Sequence, residues 1–514
     1  MAVRHATMNA RSLSLRALLF LGLCQTISRA STPELQDQPQ KIAVVGGGIG
    51  GAAAAFYLRQ EFGAGVKIEV FEPDAVGGRL ATVKIGTQEY ETGGSVIHPL
   101  NLHMKHFVEL MGVPQRRPVP TKVAIFNGKE LTFEESDWFI INVLRMLWRY
   151  GFSLLRMQMW VESLLDRFMR IYQYQQYGYS FTTVDRLLHA MGGDGFLALM
   201  NRTLEETMID EGFSQVFLND MVAPITRVNY GQSVRIHGFV GAVSLAGADS
   251  GLWAVDGGNK RVCSGLMYHS KSDLISAKVT SIAVKVRPSK TGTPTSFYEV
   301  SYVGESGSAH SLYDIVVVAT PLHQGMSDIA FSGFSPPIPS AFPGRYHQTV
   351  STLIHGVVNV SYLGTAEPAS QFTVSDVLTT DSEGCAINSL SSIDPVHIPE
   401  GYKRPPASQP KVWKVFSQEP LSQDRLQEMF LSWDFVSETQ WLAYPSYRLP
   451  PRKTPPFILH RRLYYLNAVE WAASSMEMSA IAARNVALLA HHRWHRQKSK
   501  IDQEDLHTRI RTEL

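Results

Sequence analysis

The chain has 514 residues, of which 44% are apolar and 18% are charged, and its formal net charge is +2. This is the composition of a globular protein that is long enough for two domains. The near balance of charge gives no reason to expect a nucleic-acid partner.

The first 30 residues have the pattern of a secretory signal peptide. Basic residues precede an apolar run at 17–24, and small residues suit cleavage after Ala30. The run is too short to span a bilayer, so the mature protein is expected to be soluble or peripheral. Cleavage would leave 44 basic against 46 acidic residues, and Cys263 and Cys385 as the remaining cysteines. Two cysteines exclude a disulfide framework, although they could form one bridge.

Two N-glycosylation sequons agree with passage through the secretory pathway. They begin at Asn201 and Asn359 and read Asn-Arg-Thr and Asn-Val-Ser. Each tripeptide could arise by chance, but beside a signal peptide the two predict a glycosylated, lumenal protein.

A dinucleotide-binding motif follows, built from a strand, a glycine cluster and a helix. Ile42–Val45 is apolar and partly β-branched, which predicts a buried parallel strand. The cluster after it matches G-x-G-x-x-G at Gly46, Gly48 and Gly51. The first glycine permits a tight turn, the second lets a pyrophosphate approach the backbone, and the third lets the helix pack on the strand. The alanine-rich helix predicted at 52–60 would present its N-terminal N–H groups to the phosphates.

The second strand of this unit ends at an acidic residue. Val66–Phe71 alternates apolar and polar residues and precedes Glu72, which lies 21 positions after Gly51. This is the spacing of a carboxylate that binds a ribose hydroxyl. An acid at this position also argues against the 2′-phosphate of NADP.

A second glycine motif, G-G-R-L-A-T at 77–82, begins five residues after Glu72. It resembles the G-G-R-x-x-[ST] signature of FAD-binding amine-oxidase-like flavoproteins. The resemblance implies that Gly78 and Arg79 lie along the diphosphate and ribityl chain of FAD. A guanidinium suits this role because its planar fork pairs bidentately with phosphate. The alternative interpretation of Arg79 is an ordinary arginine on a surface loop.

The loop EYETGGSVIH at 89–98 is a further point of resemblance. In the flavoprotein family a glycine-containing loop at this place passes the flavin ring, which implies a cofactor contact at Gly94. His98, on the same loop, is a candidate for the substrate pocket. The alternatives are an ordinary turn for the loop and a packed histidine for His98.

Residues 135–174 are rich in aromatic residues, methionine and leucine, with arginines between them. The pattern predicts long amphipathic helices with broad apolar faces. Packing into the core of a helical second domain is the favoured interpretation. The alternative is an apolar pocket or a membrane-facing surface, which the tryptophans and arginines of this segment would suit.

Cofactor signals return after about residue 240. Three segments between 278 and 318 predict a three-stranded meander. The resemblance implies that the backbone of Val279, in the first of these strands, meets the adenine. The run YDIVVVATP at 313–321 is a third family hallmark and predicts a buried strand that returns to the cofactor-binding sheet.

The last cofactor signal is an alanine-rich helix that Ser474 or Ser475 can cap. In the family the N-terminus of this helix points at the pyrimidine edge of the flavin, which implies a backbone contact at Met476. N–H groups there would stabilise negative charge on the reduced ring. Glu470 is carried over as a cofactor residue, although Val469 stands where the family usually has glycine.

Together these signals predict an α/β protein with two discontinuous domains. A Rossmann-like FAD-binding domain with an inserted β-meander would be built from residues 38–100, 240–325 and 455–495. An α+β substrate domain would be built from residues 101–239 and 326–454, and residues 496–514 would form a C-terminal tail.

A closer resemblance covers nearly the whole mature sequence. Segments such as RMQMWVESLLDRFMRIYQYQ, SGLWAVDGGNKRVCSGL and IDQEDLHTRIRTEL resemble the prenylcysteine oxidase family and its close paralogue group. The resemblance implies an FAD-dependent thioether oxidase of lysosomes, with secretion as the alternative location. Farnesylcysteine or geranylgeranylcysteine would react with O2 and water to give cysteine, a prenyl aldehyde and hydrogen peroxide, in the degradation of prenylated proteins.

The cofactor carries the difficult step of this reaction, so no catalytic side chain and no metal site are predicted. The protein would supply orientation, an apolar channel and access for water. Peripheral association with a membrane or lipoprotein is compatible with the sequence. Two other function classes remain open, namely another FAD amine oxidase or isoprenoid oxidoreductase, and a non-catalytic, lipid-associated secreted flavoprotein.

Overall fold

The structure, a computed structural model, describes residues 38–248, 251–287, 295–449, 453–504 and 506. The predicted signal peptide and the last residues of the predicted tail lie outside this part of the chain. The strands, in chain order, are β1 (Lys41–Val45), β2 (Lys67–Phe71), β3 (Thr82–Ile85), β4 (Gln88–Glu91), β5 (Val123–Phe126), β6 (Leu131–Glu134), β7 (Asp273–Ile275), β8 (Ala277–Arg287), β9 (Thr295–Gly304), β10 (Gly307–Tyr313), β11 (Ile315–Val318), β12 (Ala330–Ser332), β13 (Tyr346–Val358), β14 (Asp376–Thr379), β15 (Ile387–Ser392), β16 (Lys411–Ser417), β17 (Phe430–Pro445), β18 (Ile458–His460) and β19 (Leu463–Tyr465). The α-helices are α1 (Ile49–Phe62), α2 (Leu102–Met111), α3 (Phe139–Tyr150), α4 (Ser153–Phe168), α5 (Arg170–Gln176), α6 (Val184–Gly192), α7 (Asp194–Met200), α8 (Leu204–Asp210), α9 (Gln215–Phe217), α10 (Ala223–Tyr230), α11 (Gly238–Ala246), α12 (Lys260–Ser270), α13 (Gln423–Met429) and α14 (Met476–Trp494).

A six-stranded sheet contains both strands of the dinucleotide motif. Its strand order is β18-β19-β11-β1-β2-β7, and every neighbouring pair is parallel except β18 with β19. Strand β11 is buried along its whole length between β1 and β19, which confirms the prediction for the run 313–321. An order in which β1 lies between β2 and β11 places the reversal of strand order beside the glycine turn, where such folds bind dinucleotides.

The predicted meander is present as β8, β9 and β10, which pair antiparallel in that order. Strand β12 adds to the other side of β8 in parallel. Val279 of β8 lies opposite Tyr302 of β9, and the ring of Tyr302 is 4.9 Å from the ring of Phe71 at the end of β2. The meander therefore packs beside the end of the strand that leads to Glu72.

A seven-stranded sheet with the order β17-β13-β16-β15-β14-β5-β6 forms the second large layer. Its described neighbours are antiparallel except β14 with β5. One face carries its own apolar core, which includes Phe126, Phe372, Leu390 and Trp413. The sheet combines strands from 123–134 with strands from 346–445, so it depends on contacts between distant parts of the chain.

Helices α1, α12 and α14 pack around the six-stranded sheet, and α1 packs closely on α14. An ion pair of 2.6 Å joins Glu61 of α1 to Arg484 of α14, with both side chains more than four-fifths buried. A β-carbon at Gly50 would lie 2.9 Å from a terminal methyl of Leu466, so a larger residue would require that side chain to move. The glycine turn is thus held between the sheet and two helices.

The expectation that residues 135–174 pack into a core is wrong for α3 and correct for part of α4. The apolar residues of α3 that share one face are exposed, with Leu144 at 60% and Trp148 at 93%. In the later turns of α4, the side chains of Met157, Val161 and Leu164 are buried. Amphipathic spacing identifies which side chains share a face, but it does not determine whether that face meets the core or the solvent.

The predicted glycosylation sites and cysteines lie at different depths. Asn201 is exposed and Asn359 is half-buried, and their amides donate to backbone oxygens of Leu197 and Glu428 at 2.8 and 2.9 Å. Cys263 and Cys385 are both free thiols, so the bridge that the sequence allowed is not formed. Within the described part of the chain, every helix is too short or too polar to cross a bilayer.

Candidate cofactor and substrate site

The glycine turn between β1 and α1 has the close backbone contacts that its motif predicts. Gly46 has a φ of +109°, and a β-carbon there would lie 2.8 Å from the carbonyl oxygen of Ala319. A β-carbon at Gly51 would lie 1.8 Å from the carbonyl oxygen of Gly46. At Gly48, by contrast, the nearest protein atom to a β-carbon would be 3.8 Å away. The protein itself therefore requires glycine at 46 and 51, whereas Gly48 leaves a backbone surface open, as a bound phosphate would require.

Glu72 lies over this turn at the end of β2. Its carboxylate accepts hydrogen bonds from the backbone N–H groups of Gly47 at 2.8 Å and Asp74 at 3.1 Å. The side chain is half-buried, so part of the carboxylate surface remains accessible. This arrangement fixes an acceptor beside the glycine turn, at the place predicted for a ribose hydroxyl.

The second glycine motif lies directly against the first. Gly77 donates its N–H to the carbonyl of Gly47 at 3.1 Å and pairs with Gly48 as an isolated parallel bridge. Gly78 has a φ of +57°, and a β-carbon there would lie 3.4 Å from the α-carbon of Gly48. The two motifs therefore form one cradle of exposed backbone, which fits an extended diphosphate.

Arg79 and Glu470, which were predicted separately, form an ion pair. Arg79 also donates to the carbonyl of Ala443 at 2.5 Å, and Glu470 accepts from Tyr346 at 2.7 Å and Asn467 at 2.9 Å. Glu470 is 1% exposed, whereas the side chain of Arg79 keeps 32% of its surface exposed. Burial alone would lower the pKa of Arg79, but the adjacent Glu470 carboxylate raises it overall. The guanidinium is therefore a fixed positive charge beside the glycine cradle.

The glycine loop after β4 packs against Arg79 and the start of α14. A β-carbon at Gly93 would lie 2.0 Å from the carbonyl oxygen of Arg79, and one at Gly94 would be 4.0 Å from the side chain of Met476. Asn259 donates its side-chain amide to the carbonyl of Gly94 at 3.0 Å and so fixes the loop. These contacts bring three of the predicted cofactor residues, Arg79, Gly94 and Met476, into one place.

His98 and Val279 complete the predicted set. The Nδ1 of His98 accepts from the backbone N–H of Leu100 at 3.1 Å, which orients the ring locally. Val279 is 5% exposed and stands in the meander near the end of β2. The adenine contact of Val279 and the substrate role of His98 remain predictions.

Three tyrosines that the sequence did not single out surround the N-terminus of α14. Tyr447 accepts from the N–H of Ser474 and donates to the carbonyl of Glu470, both at 2.9 Å, and Tyr230 donates to the carbonyl of Ser474 at 3.1 Å. The ring of Tyr230 is 5.0 Å from that of Tyr444 and 5.5 Å from that of Tyr447. These tyrosines come from segments more than 200 residues apart, so their meeting depends on the tertiary fold.

Ser475 is the N-cap of α14, and its hydroxyl accepts from the N–H of Met478 at 3.1 Å. We expect Ser475→Ala to lower the free energy of unfolding by about 1 kcal/mol, because one helix N–H loses its acceptor. Affinity for a flavin should also decrease if this helix end faces it. Urea unfolding and flavin titration measure the two effects.

Ser422 provides the matched control for this substitution, because its hydroxyl caps α13 in the same way, accepting from Arg425 at 3.2 Å. Ser422→Ala should lower stability comparably and leave flavin affinity unchanged. Equal affinity in the two variants would show that the α14 N-terminus does not contact the cofactor.

Tyr447 lines one of two neighbouring cavities. The first is a small apolar cavity of about 30 Å³ lined by Val161, Leu164, Leu165, Phe168, Phe196, Leu199, Phe239, Ala242 and Val243. The second is a more polar cavity of about 340 Å³ lined by Met200, His237, Gly344, Arg345, Ser446, Tyr447, Arg448, Leu449, Thr454 and Trp471. Leu199 and Met200 are consecutive residues that line different cavities, so the two spaces lie on either side of the end of α7. An apolar space beside a polar, cationic one suits a lipid-like ligand with a charged head.

His237, which lines the polar cavity, is held as a neutral ring. Its Nδ1 accepts from Val240 at 3.3 Å, and its Nε2 lies 3.2 Å from the carbonyl of Trp471, so one nitrogen must accept and the other donate. Burial lowers its pKa to about 4, and burial likewise lowers the pKa of His103 to about 4. In the opposite sense, burial raises the pKa of Glu477 to about 7.

We expect acid to destabilise the fold through these histidines. Each stabilises the folded state fully above its ordinary pKa of about 6.5, and the contribution is lost as the pH falls from there towards 4. The loss is on the order of 3 kcal/mol for the buried His237 and smaller for the half-buried His103. Glu477 has the opposite effect on stability. Its contribution to the free energy of unfolding is present at low pH and is lost as the pH rises from about 4.5 to 7.

Urea unfolding at pH 7 and pH 4.5 measures this pH dependence. His237→Gln keeps one donor and one acceptor without titrating, so it should show a smaller loss between the two pH values. An unchanged loss in His237→Gln would contradict the assignment of His237.

Comparison with known proteins adds independent observations. A family model described as prenylcysteine lyase matches residues 133–503, and a model described as an NAD(P)-binding Rossmann-like domain matches residues 44–110. The chain is 53% identical over 501 residues to "Prenylcysteine oxidase 1" of Mus musculus, covering 97% of this chain and 98% of that protein. It is 52% identical over 497 residues to the protein of the same name in Homo sapiens, covering 96% and 98%. It is 43% identical over 501 residues to human "Prenylcysteine oxidase 1-like", covering 97% and 100%.

Solved structures resemble the chain in fold at low sequence identity. A putrescine oxidase variant matches with a TM-score of 0.56 and 14% identity, covering 87% of this chain and 98% of that one. Cyclohexylamine oxidase from Brevibacterium oxydans matches with a TM-score of 0.55 and 15% identity, covering 88% and 99%. These likenesses show the fold, and the match over residues 133–503 together with 43–53% identity along nearly the whole chain shows that the chain belongs to the prenylcysteine oxidase family.

Proposed function

We propose that this protein is an FAD-dependent thioether oxidase that cleaves S-prenyl-L-cysteine. With O2 and water, the reaction gives cysteine, a prenyl aldehyde and hydrogen peroxide. The observation that carries the proposal is the 52–53% identity, over 96–97% of the chain, to proteins named prenylcysteine oxidase 1. The lower identity of 43% to the "-like" relative favours the oxidase group over its paralogues.

The residues at the glycine cradle fit FAD. Gly48 and Gly78 offer open backbone to a diphosphate, and the N-terminus of α1 adds unpaired N–H groups. Glu72 would accept a ribose hydroxyl, and Arg79 would place a positive charge along the phosphate and ribityl chain. Bound FAD supplies a two-electron acceptor that no side chain can replace.

The protein's own groups then bind and orient the substrate. The apolar cavity lined by α4 would hold part of the isoprenoid chain, because transfer of that chain out of water is favourable. Arg345 and Arg448 line the polar cavity, where they can pair with the α-carboxylate of the cysteine moiety. The N–H groups at the start of α14, where the Met476 side chain packs near Gly94, carry partial positive charge that would stabilise negative charge on a reduced cofactor.

A peroxide assay with purified holoprotein tests the proposed reaction. Farnesylcysteine should give hydrogen peroxide, farnesal and free thiol in equal amounts. S-Dodecylcysteine lacks the allylic carbon beside sulfur, so it should bind without reacting. Peroxide formation from putrescine but not from farnesylcysteine would instead identify an amine oxidase, and a flavin-loaded protein inert to all three would indicate a non-catalytic flavoprotein.

The proposal extends to cellular location. The signal-peptide pattern and the sequons at Asn201 and Asn359 support entry into the secretory pathway and delivery to lysosomes, with secretion as the alternative. Peripheral association with lipid is part of the same proposal, since the substrate is itself a lipid conjugate. Immunogold labelling of cells, with and without Asn201→Gln and Asn359→Gln, would locate the protein and show whether glycans are needed.

A further inference from the structure

Helix α3 presents an apolar stripe to the solvent. Its residues at i, i+3, i+4, i+7 and i+8 from position 140 are all large and apolar, and all are exposed: Ile140, Val143, Leu144, Leu147 and Trp148. The exposed fractions of Ile140, Leu144 and Trp148 are 70%, 60% and 93%. An amphipathic helix ordinarily buries such a stripe, so one that is exposed indicates a surface that meets something apolar.

The opposite face of α3 attaches the helix to the protein. Tyr150 is buried and donates to Asp220 at 3.1 Å, while Asn142 accepts from the N–H of Ser136 at 2.8 Å. Met146 packs against the main apolar core. The helix therefore lies along the surface with a fixed orientation, and its exposed stripe is the face turned away from the protein.

The exposed surface continues past both ends of α3. Trp138 precedes the helix with 72% exposure, Phe152 follows it with 69%, and Leu155 in the first turns of α4 has 55%. We define the α3–α4 face as Trp138, Ile140, Leu144, Trp148, Phe152 and Leu155. All six side chains are more than half exposed.

The charges around this face identify its occupant. From Trp138 to Val161 the sequence contains three arginines, with Asp137 and Glu162 directly outside this range. Arg149 pairs with Asp220 at 2.6 Å, which leaves Arg145 and Arg156 as the cations without an acidic partner in the range. An apolar stripe with tryptophans near its ends and arginines beside it is typical of a helix that lies in the headgroup region of a bilayer. A second copy of the chain is less suitable, because a two-fold interface would bring the same arginines together.

Helix α4 connects this face to the interior. Its first turns carry Leu155 on the α3–α4 face, and its later turns line the apolar cavity through Val161, Leu164 and Phe168. One helix therefore carries part of the exposed face near its start and part of the cavity lining near its end. A role of this helix in substrate uptake rests on the proposed function, whereas the docking of the face on lipid does not.

We propose that the α3–α4 face docks the protein on the surface of a phospholipid bilayer containing anionic lipid, with α3 lying parallel to that surface. The docked face positions the apolar cavity next to the hydrocarbon from which the prenylated substrate is taken. Binding is peripheral and reversible.

Co-sedimentation with vesicles of phosphatidylcholine and phosphatidylserine, at about 3:1, tests the proposal using the full-length mature protein. The parent protein should bind, and binding should weaken on pure phosphatidylcholine and at high salt. The double variant Leu144→Glu/Trp148→Glu should bind at least about tenfold more weakly, because two large side chains no longer enter the lipid. Leu431→Glu is the matched control, since Leu431 is 66% exposed on β17, and it should bind like the parent.

Two further measurements separate docking from folding and from catalysis. The double variant should keep the thermal midpoint and, with the short, soluble substrate S-geranylcysteine in the absence of lipid, the peroxide rate of the parent. The proposal is overturned if the parent does not bind vesicles or if the double variant binds equally well. It is also overturned if light scattering shows a parent dimer that the variant abolishes, which would make the face a subunit interface. Loss of peroxide formation in parent and variant alike, with vesicle binding intact, would refute the proposed reaction and leave docking standing.

Discussion

Replacing Gly51 with alanine is expected to abolish FAD binding and to destabilise the fold by roughly 3 kcal/mol or more. The new β-carbon would lie 1.8 Å from the carbonyl oxygen of Gly46, and neither backbone can move without separating α1 from β1. The cradle would then lose both its turn and its helix N-terminus. FAD released per chain, measured by absorbance after denaturation, and the urea midpoint report the two effects.

Two other glycines make this prediction specific. Gly48→Ala should leave the stability of the flavin-free protein nearly unchanged, because the nearest protein atom would be 3.8 Å from the new carbon, yet it should weaken FAD binding. Gly65→Ala should change neither property, because no atom lies within 4 Å of a β-carbon there. Full FAD occupancy in Gly51→Ala, or in Gly48→Ala at limiting FAD, would mean that the cofactor does not lie on this turn.

Glu470→Gln should cost about 3–5 kcal/mol and lower FAD occupancy. The substitution removes the charge that pairs with Arg79 and weakens an acceptor of two other hydrogen bonds, from Tyr346 and Asn467. Because Glu470 is buried, water cannot replace the lost carboxylate. Chemical denaturation and flavin titration of the purified variant measure both changes.

An exposed ion pair provides the comparison. Arg425 and Glu428 are 2.8 Å apart with side-chain exposures of 36% and 56%, so Glu428→Gln should cost less than about 1 kcal/mol. The double variant Arg79→Met/Glu470→Gln should be less unstable than the sum of its two single variants, since the unpaired charge is gone. Additive losses would show that Arg79 and Glu470 are not coupled.

The local parts of the cofactor site could be predicted because their information lies in short stretches of sequence. The turn at Gly46, Gly48 and Gly51 needs a strand before it and a helix after it, and both are specified by neighbouring residues. The meander and the buried strand β11 were predicted for the same reason. Each of these elements is present in the structure.

The tertiary contacts of the site could not be predicted in this way. Arg79 and Glu470 are 391 positions apart, and each was recognised only through its own motif. Tyr230 and Tyr447 belong to segments without a motif, and both bond to Ser474, just before α14, from positions 217 residues apart. Pairings over such distances depend on chain topology, which local patterns do not contain.

The orientation of α3 shows a second limit of sequence patterns. The spacing of its apolar residues predicted an amphipathic helix, and the helix is present, but core packing was the wrong expectation for its apolar face. Hydrophobic spacing reports that one face avoids water. Whether protein or lipid covers that face is decided by the rest of the fold and, as proposed, by the surroundings of the protein.

The central claim is that several distant segments hold one FAD beside a prenyl thioether that reduces it. Mixing the FAD-loaded protein with farnesylcysteine in the absence of O2, while following the visible flavin absorbance, tests this most directly. The account predicts that the absorbance bleaches with farnesylcysteine, returns on admission of O2, and stays unchanged with S-dodecylcysteine. A fully loaded flavin that keeps its absorbance in the presence of excess farnesylcysteine would contradict the account.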